Sequence, residues 1–246
     1  MSLRIEGAVA VVTGVGSGIG SALAEALART GASVVASDID GAQAHATAAR
    51  LAAQDRRAVG LQADTSSLSE IRRLIEFARG EFGPVDIYAA NAEIAGSMGP
   101  ATTESDWDRV LDVDLWAHTR AAAVLVPEWV QRGRGHFISV ASASGTLSHA
   151  EAAAYALSRA AAISAAEWLA ISFGREGVGV SCVCGPGATT PTLTDQTLNP
   201  EVGARVAAQM ITDSRQVIEP GQLADAIVEA VRVDRHFVST HDELPP

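Results

Sequence analysis

The sequence predicts an α/β protein: a single domain, residues 1–246, built on a doubly wound, seven-stranded parallel sheet. Three observations predict it. Short β-branched runs alternate with longer segments rich in Ala, Leu, Arg and Glu, the pattern of repeated βαβ units. The 246 residues are 48% hydrophobic, 19% charged and 4% aromatic, which suits one ordinary α/β domain and excludes disordered and collagen-like chains. No composition break, linker or repeat divides them, and at this length folding removes roughly 70–75% of the extended chain's surface from water, so a full core forms without a metal or disulfide staple.

The first strand, Ala8 to Thr13, runs into Thr13-Gly14-Val15-Gly16-Ser17-Gly18-Ile19-Gly20, and a helix begins near Ser17. Glycines let the backbone turn tightly and approach a pyrophosphate, whose charge the helix N-terminus stabilises. The second strand, Ala32 to Ser37, leads to Asp38, 18 residues after Gly20. An acidic residue at that spacing accepts hydrogen bonds from adenosine ribose hydroxyls; the competing role is a plain cap on the helix that begins near Gly41. A 2′-phosphate at Asp38 would face a like charge costing on the order of 4 kcal/mol at ~4 Å and an effective dielectric of ~20, so NAD is expected rather than NADP.

The remaining strands are expected at Arg57 to Ala63, Val85 to Ala90, Gly135 to Ala141, Val178 to Val183 and His236 to Thr240. The helices between them begin near Leu68, Glu104, Ala152 and Pro220, several behind a Ser, Asp or Thr able to cap them. Only Gly185 to Glu219 reads as irregular for long, with Pro186, Pro191, Pro200 and a short amphipathic piece, Val202 to Met210. A loop of that length in a compact domain is usually a functional lid, so a substrate flap is expected at about 188–215.

Charge and composition exclude several function classes. The 18 basic residues against 29 acidic ones give a net charge of −11, so the electrostatic footprint of a nucleic-acid or anionic-membrane binder is missing. All 18 basic residues are arginine; without lysine there is no Schiff-base chemistry and no lysine proton relay. Cys182 and Cys184 share a strand face with β-carbons roughly 6.5–7 Å apart, beyond disulfide reach, and read as small buried hydrophobes. The six histidines are scattered and no metal-ligand spacing occurs, so no metal is expected. The N-terminus carries no apolar leader and no charge-free apolar stretch of about 20 residues occurs, which places the chain in the cytoplasm as an expectation.

Over essentially its whole length the chain resembles the short-chain dehydrogenase/reductase family in its common form, a Rossmann-type fold. The glycine turn matches that family's TGxxxGxG pattern, with Gly14, Ser17, Gly18, Ile19 and Gly20 at the cofactor-binding positions. Asp64, with Thr65 beside it, stands where the family contacts the adenine. Ala90-Asn91-Ala92-Glu93 lies where the family has NNAG, and Pro186-Gly187 matches the PG beside the nicotinamide. Ser142 precedes Tyr155 by thirteen residues, the family's serine-to-tyrosine spacing. The resemblance implies an NAD-dependent interconversion of a secondary alcohol and a ketone, with Tyr155 as general acid/base, Ser142 on the substrate oxygen and a cation holding Tyr155 partly as phenolate. From a reference pKa near 10, that requires about three units, or roughly 4 kcal/mol. Tyr88, inside an apolar strand, reads as core.

Two of the four catalytic positions depart from the pattern. YxxxK reads Tyr155-Ala156-Leu157-Ser158-Arg159, and the stretch that carries the family's asparagine reads Asp112-Val113-Asp114-Leu115. Arg159 keeps the charge and can donate to ribose hydroxyls, yet cannot pass protons. In the family the asparagine acts largely through its backbone carbonyl to a water, so Asp114 need not abolish that role, and its carboxylate is free to pair with Arg159 instead. Glu93, in place of the family's glycine, must find room and a partner near the nicotinamide ribose. Drift in a lysine-free chain, a dehydrogenase with a re-tuned site, a dinucleotide-binding module with little or no activity, and elimination or epimerisation in the same pocket all remain open at this level. Substrate contacts are expected from Gly96 to Thr103, Ala143 to Ala150 and the flap, whose small and hydroxyl side chains favour a neutral alcohol or ketone; His149 reads as solvent-facing. The resemblance also implies a homo-oligomer, tetramer or dimer, through the helices beginning near Glu104 and Ala152, and the small residues of Ala152 to Ile171 suit close approach.

Overall fold

A computed structural model describes residues 3–16, 18–94, 103–142, 153–184 and 218–238. The expected flap at 188–215, residues 96–102 and 143–150 of the two substrate loops (His149 among them), Ser17, Pro186 and Gly187 lie outside the described residues. Seven strands form one sheet: β1 (Val9–Thr13), β2 (Ser33–Asp38), β3 (Ala58–Gln62), β4 (Ile87–Ala90), β5 (Gly135–Val140), β6 (Val178–Val183) and β7 (Phe237–Val238). Every pairing is parallel and the order is β3-β2-β1-β4-β5-β6-β7. The order reverses between β1 and β4, and ligands of such sheets bind beyond the carboxyl ends of the strands at that reversal.

Both faces of the sheet are covered, as a parallel sheet demands. On one side α1 (Gly18–Arg29) and α2 (Gly41–Ala52) pack with Val12, Leu27, Ile87 and Ile138. On the other, α3 (Leu68–Phe82) and α5 (Ala117–Arg132) pack with Val11, Tyr88, Trp129 and Phe137. Neighbours such as Val11 and Val12 therefore point into opposite cores, the period-2 alternation of a strand. Asp40 caps α2 and Ser67 caps α3, while Thr103 and Asp106 close a capping box on α4 (Glu104–Leu111). Two further helices are α6 (Ala153–Phe173), which runs into a 3₁₀ turn at Gly174–Glu176, and α7 (Pro220–Val233).

The helix expected from Glu104 is not one regular helix. A π-turn at Asp112–Trp116 separates α4 from α5, and its looser winding turns the Asp114 side chain fully inward. Cys182 and Cys184 are free and buried as expected, but their sulfurs stand 3.7 Å apart because the side chains lean towards each other. Tyr88 is core. Among the described residues no helix is long and apolar enough to cross a membrane, and no group of three His, Cys, Asp or Glu stands together as a metal site would require.

Candidate active site

Since all strands run parallel, the residues that follow β1, β2, β4 and β5 meet at one edge of the sheet. The turn after β1 is held from the chain after β4. Asn91 donates through its side-chain amide to the carbonyls of Thr13 (2.9 Å) and Gly14 (3.0 Å), and its backbone N–H reaches the Thr13 hydroxyl (3.1 Å). Gly14 has φ of +69°, and a β-carbon there would sit 2.8 Å from the Ala92 Cα; one at Gly20 would overlap the Gly14 carbonyl and the Asn91 amide. The turn thus exists only with glycine at these places. Gly18 and Ile19 open α1, with Ile19 packed on the core.

The carboxylate of Asp38 lies against the same turn, accepting from the Gly16 N–H (2.8 Å) and the Asp40 N–H (3.0 Å). The cap on α2 is Asp40 and not Asp38, which removes the plain capping role for Asp38. Asp64 accepts from the Ser66 N–H (2.9 Å) beside the buried Thr65. A glycine-lined turn at a helix N-terminus, with an acidic group at the end of β2, fits the pyrophosphate and ribose of a dinucleotide.

Two residues beyond Asn91 the chain reaches a second cluster, built from side chains rather than backbone. Arg159 on α6 is fully buried. Its guanidinium meets Asp114 Oδ2 at 2.7 Å, the Val140 carbonyl at 3.0 Å and the Asp114 carbonyl at 3.3 Å, with Glu93 Oε2 at 3.7 Å. Asp114, also fully buried, accepts further bonds from the Ile94 N–H (2.9 Å) and the Ser158 hydroxyl (3.1 Å). Burial holds the Asp114 carboxyl above its ordinary range, while the guanidinium at 2.7 Å and these two donors partly pull it down. One buried donor, Arg159 Nε, finds no acceptor among the described residues.

Tyr155, one turn before Arg159, donates its hydroxyl to Glu93 Oε2 (3.1 Å) and is hydrogen-bonded by the Ser142 side chain. The guanidinium carbon stands 5.3 Å from the ring centre. The cation beside Tyr155 favours the phenolate, but it is not the largest influence on the phenol. Burial, then the Glu93 carboxylate, push the Tyr155 phenol well above its ordinary range, and Arg159 only partly opposes them because Asp114 neutralises it. Burial likewise pushes the Glu93 carboxyl up against the pull of Arg159.

The structure therefore brings Ser142, Tyr155, Arg159 and Asp114 together, and pairs Arg159 with Asp114 directly. The Asp114 carbonyl, which the resemblance assigns to a water, accepts from the guanidinium instead, since Arg reaches further than Lys. Sequence reading missed Ser158, whose hydroxyl bridges the Tyr155 carbonyl (2.8 Å) and Asp114; its place one residue before Arg159 was the available signal. Glu93 was marked as needing a partner, but the partner lies 62 residues away. His118 is bonded to Ser139 (2.9 Å), and burial lowers its pKa to about 3.

The family model for short chain dehydrogenase matches residues 8–202. The chain is 31% identical over 245 residues to 1-deoxy-11-beta-hydroxypentalenate dehydrogenase of Streptomyces exfoliatus, covering 98% of this chain and 86% of the relative. It is 28% identical over 228 residues to 7alpha-hydroxysteroid dehydrogenase of Escherichia coli K12, covering 92% and 87%. A short chain dehydrogenase/reductase from Burkholderia phymatum, solved in complex with NAD, superposes with a TM-score of 0.87 at 26% identity over 97% of this chain and 90% of that one. With the glycine turn, the Ser142–Tyr155 contact and this match over most of its length, the chain belongs to the short-chain dehydrogenase/reductase family.

Proposed function

We infer that the protein is an NAD(H)-dependent oxidoreductase interconverting a secondary alcohol and a ketone. The observation that carries this is the hydrogen-bonded pair Ser142–Tyr155 at the sheet edge, joined through Glu93 and Asn91 to the glycine turn within a few residues of chain. Relatives named as dehydrogenases of hydroxy compounds, and a neighbour complexed with NAD, support it.

The nicotinamide, when bound, accepts or returns the hydride. The protein supplies the rest. Gly14, Gly18, Ile19 and Gly20, with Ser17 completing the motif, give the pyrophosphate a close approach to the α1 N-terminus, and Asp38 takes the adenosine ribose hydroxyls. Asp64 and Thr65 border the adenine; Asn91, Pro186 and Gly187 border the nicotinamide side. Arg159 offers its spare Nε–H to the nicotinamide ribose, Ser142 orients the substrate oxygen, and Tyr155 exchanges a proton with it. The neutral loops favour an uncharged alcohol or ketone over a phosphate ester.

Because a 2′-phosphate would meet the Asp38 carboxylate at a cost of about 4 kcal/mol, fluorescence titration should show NAD⁺ binding roughly a thousandfold tighter than NADP⁺. A panel of secondary alcohols with NAD⁺ should give turnover that Tyr155→Phe lowers by about 10²–10⁴-fold. Tight NAD⁺ binding with no Tyr155-dependent turnover would turn the reading to a dinucleotide-binding module.

We also infer a homo-oligomer, dimer or tetramer, in the cytoplasm. On the outer face of α6, Trp168 is 59% and Ile171 75% exposed, and Trp168 borders an apolar cavity of about 430 Å³ with Val126, Phe137 and Ala166. A second copy covering this face would bury both side chains. Light scattering should report the oligomer, and Trp168→Asp should dissociate it.

A further inference from the structure

We propose that Glu93 is the proton acceptor for Tyr155, so that the phenol works as one link in a relay from substrate through Tyr155 to Glu93 and on to solvent. This rests on the reading of Tyr155 as the acid/base.

The geometry forms a chain. Ser142 hydrogen-bonds the Tyr155 oxygen, and the Tyr155 O–H already points at Glu93 Oε2, 3.1 Å away. The Glu93 side chain is 24% exposed, so one end of this carboxylate touches the phenol while the group as a whole reaches water. No other described neighbour of Tyr155 can take the proton. Arg159 is a permanent donor. The buried Asp114 is committed to Arg159, Ser158 and Ile94. The Asp114 carbonyl that would anchor a water is occupied by the guanidinium. A lysine relay does not exist in a chain without lysine.

The charges around the phenol argue the same way. The Glu93 and Asp114 carboxyls both disfavour a standing phenolate in this buried place, against the pull of Arg159. A proton that leaves Tyr155 as another arrives avoids this. In alcohol oxidation the substrate O–H proton passes to the Tyr155 oxygen, the Tyr155 proton passes to Glu93 Oε2, and the hydride leaves the carbinol carbon for the oxidised nicotinamide. The carbonyl product forms, and the neutral Glu93 acid releases its proton to solvent. Ketone reduction runs the sequence backwards. Burial holds the Glu93 carboxyl above its ordinary range, which makes it a better-matched base near neutral pH.

Among the described residues the groups facing Glu93 are Tyr155 and Arg159 from α6 and Asp114 from the π-turn. Of these Arg159 stays charged, Asp114 is locked in its ion pair and Tyr155 ionises far above neutrality, so Glu93 is the group whose titration shapes the profile. The kcat for oxidation should fall at low pH through one ionisation above the usual glutamate range. Glu93→Gln should lower kcat by roughly 10²-fold and abolish that limb, with NAD⁺ affinity retained, and Glu93→Asp should recover part of both. Formate should restore turnover to Glu93→Ala. A binding-side readout needs no turnover: with Tyr88→Phe as background, Tyr155 is the sole tyrosine, and Glu93→Gln should make its tyrosinate absorbance appear at lower pH, because Arg159 then lacks one opposing charge. An unchanged pH profile in Glu93→Gln together with an unchanged tyrosinate onset would overturn the relay. If Tyr155→Phe still removes turnover in that case, only the relay falls; if Tyr155→Phe is also silent, the dehydrogenase reading falls with it.

Discussion

The two halves of the sheet edge solve the same problem of holding a polar ligand in different materials. Around the turn after β1 the site is backbone: carbonyls, N–H groups and glycines, with Asn91 as the main side-chain brace. Around Tyr155 the site is side chain: two carboxylates, a guanidinium, two hydroxyls and a phenol packed into one buried cluster. In the first half a replacement meets backbone that cannot move. In the second, a changed side chain can be answered by another, as Arg159 is by Asp114. The sequence accordingly matches the expected pattern in the turn and departs from it in the cluster.

The largest effect should come from breaking the rigid half. Gly20→Ala places a β-carbon on the Gly14 carbonyl and the Asn91 amide, so NAD⁺ binding should be lost and melting should drop steeply. Gly80→Ala in α3 is the control: a β-carbon there meets nothing, and helix propensity predicts a gain of up to ~1 kcal/mol. Calorimetry and NAD⁺ titration of both variants check the pair.

In the side-chain half, Asp114→Asn strands a fully buried guanidinium with carbonyls and a more distant Glu93. Breaking a buried pair by removing one partner costs about 3–5 kcal/mol, read as a Tm lower by roughly 10 °C. Asp38→Asn removes a carboxylate from the backbone half, where solvent shares the load, and should cost no more than about 1 kcal/mol in urea unfolding. Similar losses from both would erase the distinction between the halves.

Two buried imidazoles should make the fold sensitive to acid. Burial lowers the pKa of His118, on α5, to about 3 and that of His136, at the start of β5 and so at the far end of the sheet from both halves, to about 4. The unfolded imidazoles bind protons near pH 6.5. Between pH 6.5 and 4 the unfolded chain therefore carries more protons than the folded one, and stability falls as pH falls through that window. His136 alone should contribute roughly 2–3 kcal/mol of the loss between pH 7 and 4.5. Unfolding of His136→Gln, which can keep a bond to Ser181, should show a shallower slope; an equal slope would locate the acid sensitivity elsewhere.

These differences track what the sequence made legible. The strands, their order along the chain and the glycine turn carry local signals: β-branched runs, period-2 burial and residues whose absence of a side chain is itself the message. The pairing of Asp114 with Arg159 could be framed as an option because both departed from one pattern. The π-turn left no trace, since a wider turn inside a helix keeps the same residue types. The surroundings of Tyr155 were legible only in part for a related reason. A cation one turn away is visible in sequence, whereas the carboxylates that cancel it come from after β4 and from the π-turn, and only the fold brings them within reach.

The smallest effect is the one that asks whether the cluster changed as a unit. Arg159→Lys keeps a charge near Asp114 but gives up the fork that reaches Asp114 Oδ2, the Asp114 carbonyl and the Val140 carbonyl together. Taken alone it should destabilise, because an ammonium of shorter reach leaves one of those acceptors dry. In the Asp114→Asn background it should cost less, because there the guanidinium already lacks its charged partner and a lysine fits the geometry the family uses with asparagine. The double-mutant cycle on unfolding free energy should therefore show a coupling of about 1–2 kcal/mol, with the double variant more stable than the sum of the singles, as expected for residues in direct contact. The same cycle on turnover separates the two roles of the pair. Recovery of stability without recovery of rate would leave Arg159 and Asp114 as a structural replacement that holds Tyr155 in place while proton transfer runs through Glu93. Additive effects on both would mean that the two positions drifted separately despite their 2.7 Å contact, and that the side-chain half is as inflexible as the turn beside it.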